Sequence, residues 1–200
     1  FIKLYYSHGC NEISINTYHS VKQSDMQRLS AEELIDRYKA GQRQFGAIDL
    51  SQIDLFDADL REVILDGSDL TRAYLPYSNL SLSKLRGAIL SRAELADIRL
   101  YQTDLSRANL QQANLTRAIL RGACLQGACL QGVCLQEADL SNADLRDVDL
   151  SHANLSYANL EGASLASAKL IHTTFFRAKN VDLQQAFLDS TTILPNGYRP

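Results

Sequence analysis

Leucine recurs at every fifth position from Leu50 to Leu170, 25 times without an exception, with Phe45 in the slot before and Phe175 in the slot after. Two positions ahead of each centre lies a small or β-branched residue. Of the 26 such positions from Ile48 to Thr173, 15 are Ala, and the others are Ser, Thr, Val or Ile. Stretches such as Ala108-Asn109-Leu110 and Ala143-Asp144-Leu145 state the unit as A-(D/N)-L-x-x. A fixed internal period marks a solenoid, in which each unit buries its apolar face only by stacking on its neighbours.

The period excludes the two simplest backbones. On an α-helix five residues advance about 500°, so successive leucines would rotate by about 140° and form no stripe. On a flat strand a spacing of five sends successive leucines to opposite faces. The chain must therefore turn a corner once per unit and wind into a prism with Leu and Ala inside. Its coils are then about 4.8 Å apart and joined by parallel ladder hydrogen bonds. The spacing leaves open whether three or four sides close one coil.

These units resemble the pentapeptide-repeat family over roughly residues 41–194. The resemblance implies an all-β solenoid, a right-handed four-sided parallel β-helix with 20 residues per coil. On that geometry the chain makes about seven to eight coils, a rod of roughly 35–40 Å. The closing Leu194-Pro195-Asn196-Gly197 resembles the endings of cyanobacterial members.

The ends depart from the pattern. Ser30-Ala31-Glu32-Glu33 reads as a capping box, with Leu29 and Leu34 as a hydrophobic staple, and the helix it starts ends at Gly41. This predicts an N-terminal capping α-helix at 29–41 over the first coil, followed by the β-helix at 42–194 and a tail at 195–200. After Phe175 the pattern resumes out of phase at Leu183, Leu188 and Ile193, with Asn180 marking a loop. Residues 1–28 lie outside the repeat and lack a signal-peptide pattern. They read as a flexible extension; either it comes from a longer chain, or Met26 is the natural start.

Composition adds exclusions. Leu (32 residues) and Ala (22) dominate, yet no run of 18 apolar residues exists, which argues against a transmembrane helix. A net charge of −3 excludes a strongly basic nucleic-acid binder. Cys124, Cys129 and Cys134 all precede a central leucine, so their thiols project from successive faces of one coil. They converge neither on zinc nor on one another, and read as surface thiols of a reduced, cytoplasmic protein. His152 and His172 are 20 residues apart and stack as a neutral surface ladder. With an interior filled by Leu, Ala, Ser, Thr, Val and Ile, no catalytic, cofactor-binding or metal-binding residue is expected.

The outer surface remains. One row, two residues after the centre, reads Gln52, Arg72, Arg92, Gln112, Gly132, His152, His172, and the next reads Asp57, Tyr77, Asp97, Arg117, Glu137, Tyr157, Arg177. Beside it Phe56 stacks under Pro76. Phe56, Tyr74 and Tyr77, with Leu82 and Tyr101 around the corner, form the candidate partner-binding patch, exposed aromatics being common interface anchors.

The function this predicts is a non-enzymatic protein–protein interaction scaffold, including a regulatory one. The partner is another protein, not nucleic acid and not a membrane. The rod is a monomer, or a homodimer through a C-terminal end built from Phe175, Phe176, Phe187, Leu188 and Ile193. The alternative follows from the resemblance: some family members mimic DNA and act on DNA gyrase, a type II topoisomerase. Over residues 41–175, 16 acidic residues face 12 basic ones, and arginines such as Arg72, Arg86, Arg117 and Arg121 interrupt the acidic rows, which weighs against mimicry.

Overall fold

The period of five is a period of corners. In the computed structural model, which describes residues 26–200, every residue two after a central leucine, from Gln52 to Arg177, has φ between +51° and +68°. The leucine carbonyl accepts the amide three residues on, as Ala108 N donates to Leu105 O at 3.0 Å. A positive φ at the third of four turn residues defines a type II turn. Glycine suits this position, yet twenty of the twenty-six are other residues, each costing roughly 1–2 kcal/mol. Something must hold the chain there.

The ladder does so. Single parallel bridges join residues exactly one coil apart, from Asp49 with Asp69 to Asn159 with Lys179. Five residues per side and twenty per coil give four sides. In the unit Ala108–Gln112, Asn109 N donates down to Ala88 O (2.9 Å), while Leu110 N and Gln112 N donate up to Cys129 O (2.8 Å) and Gln131 O (2.9 Å). Ala108 N closes the turn, which leaves Gln111 N, and the Asn109 side chain accepts it at 3.0 Å. All five amides of the unit are then paired, as buried backbone groups require. Asp49, Asp69, Asp104, Asp139 and Asn154 cap the second residue on in the same way. This is the physical reason for Asp or Asn ahead of leucine.

Inside, the central leucines from Leu50 to Leu170 are buried almost without exposure, together with the residues two before them, of which only Ala58 and Ala163 are partly buried. Polar members of the inner rows are satisfied: Thr103 Oγ1 donates to Leu80 O at 2.8 Å and Thr173 Oγ1 to Leu150 O at 2.7 Å. The interior is packed, with no channel for a ligand.

At the upstream end β1 (Gln27–Arg28) pairs parallel with β2 (Ile48–Asp49). Residues 27 and 28, assigned to the extension from sequence, therefore belong to the rod's first pairing, and residues 1–25 lie outside the described residues. Between the two strands runs α1 (Ala31–Lys39), with both bonds of the Ser30–Glu33 capping box present. Leu34 of α1 is fully buried, and Ile35 and Tyr38 pack against the same core. Tyr38 Oη donates to Arg61 O at 3.0 Å, and the Arg43 guanidinium lies 3.9 Å over the Tyr38 ring.

Downstream, the coil shortens. Lys169 pairs with Phe187 and Thr174 with Ile193, spacings of 18 and 19 residues. Ile193 is therefore not the centre that the sequence suggests. It takes the slot before the centre, Leu194 follows in the central slot, and Thr192, buried, occupies the small inner position. One extra residue after Leu188 causes the slip. Phe175 closes the core, whereas Phe187 is 65% exposed.

Two consequences are measurable. Leu110→Ala, in the middle of the stack, should lower the unfolding free energy by about 3 kcal/mol in urea titration. The second concerns pH. Hydrogen bonds from Ser51 lower the pKa of Asp49, and the Arg146 guanidinium, first among its partners, lowers that of Asp144. A carboxylate whose folded pKa is depressed contributes stability above its unfolded pKa of about 3.9 and loses it as pH falls through the folded value. The thermal midpoint should therefore drop as pH falls below about 4. Asp49→Asn keeps an accepting oxygen for Ser51 N and should make that drop shallower.

Candidate functional site

The corner residues carry their side chains outward, so the copying of register from coil to coil writes the surface as rows. Phe56, Tyr74 and Tyr77 fall on one face and touch. The Phe56 ring lies 6.2 Å from Tyr74, nearly parallel at 15°, and 5.7 Å from Tyr77, edge-on at 73°. All three are about half exposed, at 54%, 44% and 50%. Pro76, beside them, is buried. Around the corner Leu82 and Tyr101, both exposed, are joined by Leu82 N donating to Tyr101 O at 2.8 Å. The five residues thus form two exposed groups, with Phe56 in contact with both Tyr74 and Tyr77 in the first.

Carboxylates border the rings, and the sequence reading had not attached them to the patch. Tyr74 sits in its ladder between Asp54 and Glu94, and Tyr77 in its row between Asp57 and Asp97. Asp97 takes both guanidinium nitrogens of Arg117, at 2.8 and 2.7 Å. That pairing, with a smaller contribution from the Tyr77 hydroxyl, lowers its pKa. Asp54 accepts Phe56 N and Glu94 accepts the Asn114 amide. Among the described residues none of Asp54, Asp57 and Glu94 forms an ion pair. Sorting the sequence by twenty already held this signal.

The other candidates resolve differently. His152 and His172 stack with ring centroids 4.7 Å apart and planes within 13°. Ring lone pairs lie in the ring planes, so two parallel imidazoles do not converge on one ion. Among the described residues no cluster of His, Cys, Asp and Glu is placed to hold a metal. Cys124 and Cys134 are free and partly exposed. Cys129 departs from the expected surface thiol, being 8% exposed and disulfide-bonded. The row of Arg72 and Arg92 lines a shallow groove of about 480 Å³ with Ser51, Thr71, Ser91 and Gln111, open along the rod and without the enclosure of a catalytic pocket. Among the described residues no helix is long and apolar enough to cross a membrane.

Known proteins with this four-sided, 20-residue coil are similar to the chain. The profile of the pentapeptide repeats, in 8 copies, matches residues 53–92, 93–132, 134–170 and 143–179. This chain belongs to the pentapeptide-repeat family, and its fold is the family's right-handed quadrilateral β-helix. Among curated proteins no sequence matches it. Among solved structures it is similar to HetL, a pentapeptide repeat protein involved in heterocyst differentiation regulation in the cyanobacterium Nostoc sp. strain PCC 7120. The two are 30% identical, over 86% of this chain and 100% of HetL, with a TM-score of 0.50. Trypsin-treated QnrB1, a plasmid-mediated fluoroquinolone resistance protein, matches 73% of this chain and 89% of its own at 17% identity, with a TM-score of 0.52; it shares the fold. Rfr23 from the cyanobacterium Cyanothece 51142 is 30% identical over 56% of this chain and 86% of its own, with a TM-score of 0.30.

If the rings serve a partner rather than the rod, removing them should leave the rod intact. Phe56→Ala and Tyr77→Ala should each change the unfolding free energy by less than about 1 kcal/mol, whereas rings needed for packing between coils would cost about 3 kcal/mol or more. Urea titration of both variants decides between the two.

Proposed function

We propose that the protein is a non-enzymatic scaffold that binds another protein through the face carrying Phe56, Tyr74 and Tyr77, with Leu82 and Tyr101 extending the contact around the corner. The observation that carries this reading is the cluster of three half-exposed rings, in which Phe56 contacts both Tyr74 and Tyr77. Aromatic residues grouped on a rigid surface lose little side-chain freedom on binding and supply large contact area. A filled interior and open, shallow grooves favour recognition over catalysis. On this reading the capping segment 29–41, which holds α1, lids the upstream end, residues 42–194 form the binding rod, and the tail 195–200 finishes the last coil. The rod acts as a monomer or pairs through its exposed C-terminal end. The similarity to HetL, itself involved in regulating differentiation, supports a regulatory scaffold.

The second reading is mimicry of DNA toward gyrase, prompted by the shared fold with QnrB1. A mimic needs dense, continuous negative potential. Here Asp59, Asp97 and Asp144 are each neutralised by a two-pronged arginine, Arg61, Arg117 and Arg146. The scaffold reading is therefore preferred. Capture from native lysate should recover partners with the wild type that the double variant Phe56→Ala/Tyr77→Ala loses. Recovery of the same partners by both proteins would show that the rings do not bind them. In parallel, gyrase supercoiling should be unaffected at about micromolar protein; inhibition there would replace the scaffold reading with mimicry.

A further inference from the structure

The same face carries a second edge-on Phe–Tyr pair, at multiples of twenty from the first. Phe176 lies in the row of Phe56, and Tyr157 in the row of Tyr77. Their rings are 6.0 Å apart at 86°, against 5.7 Å and 73° for Phe56 and Tyr77. At the downstream pair the chain supplies a cation itself: the Arg177 guanidinium lies 5.2 Å from the Phe176 ring and 5.8 Å from the Tyr157 ring, and the rings stay 37% and 42% exposed. Arg177 directly follows Phe176. The residue that directly follows Phe56 is Asp57, so the upstream pair has an acid where the downstream pair has its cation.

From this contrast we propose that the upstream pair receives its cation from a binding partner: a side-chain guanidinium or ammonium that settles against Phe56 and Tyr77. This rests on the scaffold reading above and names the chemistry its partner must present. Two nearly perpendicular rings form two walls of a corner, and the negative faces of aromatic rings attract a cation. Asp54 and Glu94 flank Tyr74 in its ladder, and Asp57 directly follows Phe56 and precedes Tyr77 in its row. None of the three carboxylates is spent on an ion pair among the described residues. The fourth, Asp97, shows that this face accepts a guanidinium in two-pronged geometry, since it already holds Arg117. Rings supply apolar contact and carboxylates supply charge, so the occupant is a basic side chain with an apolar stem, presented by an exposed segment of a protein.

The probe is N-acetyl-arginine amide, titrated into the full chain and followed by the NMR signals of Phe56, Tyr74 and Tyr77, with N-acetyl-norleucine amide as the uncharged control. The expected result is a saturable change with a dissociation constant in about the millimolar range. It should weaken about tenfold in the double variant Asp54→Asn/Asp57→Asn, and weaken again as salt rises from about 50 to 300 mM. The thermal midpoint of the variant is measured alongside, and Asp57→Asn alone is used if the double variant does not fold. An equal response to the norleucine control would overturn the cation inference and leave the docking face standing. A response to neither probe would overturn the inference as well; the docking face is then judged by the capture comparison alone. A response that Asp54→Asn/Asp57→Asn leaves unchanged would remove the carboxylates from the site and with them the proposal.

Discussion

Each residue of the rod is tied to the residue twenty positions later, and this backbone ladder sets everything else. Parallel strands in a sheet have long runs of such bonds, but here each side contributes only a few before the chain turns. The bonds must therefore be made on every side of every coil. The five-residue unit is the solution: one amide closes the corner, three join the coils above and below, and where Asp or Asn precedes the leucine its side chain accepts the fifth. The strain of a left-handed corner at an ordinary residue is tolerated because the ladder fixes both flanks of that residue. Leucine and alanine then fill what the ladder encloses.

The same tie dictates how the surface can be used. Because a residue's nearest outward neighbours are those twenty before and twenty after it, side chains meet in stacks chosen by sequence register. Histidine finds histidine at 4.7 Å, Arg117 finds Asp97, and Tyr77 falls between two acids. A change at one row is felt one coil away, while the face around the corner is untouched. The recurrence of a Phe–Tyr pair in identical rows, one with Arg177 against it and one followed by an acid, is a difference that such a lattice makes easy to see.

Much of this was legible in the residues. The uninterrupted leucines and the small residues two before them determine a prism with an apolar interior, and the capping box at Ser30 determines a helix ahead of it. The number of sides was not legible, since three and four sides share a five-residue unit; resemblance supplied it. Two details escaped for physical reasons. Asp and Asn before leucine read as a solvated face, because their bond to the amide two residues on exists only once the corner is formed. Ile193 read as a centre because it continues the count from Leu188, whereas one extra residue moves Leu194 into that place. The exposed rings were legible as a group by sorting on twenty, but the acids bordering them belong to other slots of the unit and were read separately.

The helix α1 has a consequence for assembly. A solenoid whose two ends are both bare is its own best partner: the top of one copy fits the bottom of the next, and because that contact joins unlike surfaces it never closes, producing a fibre. Here α1 stands between β1 and β2 with Leu34 buried in the shared core, which takes part of the upstream end away from such a contact. Contacts between like downstream ends remain open, and these join identical surfaces about a two-fold axis and stop at two. A nine-residue helix thereby makes the two ends of the rod unlike, and unlike ends are a poor match for endless head-to-tail growth.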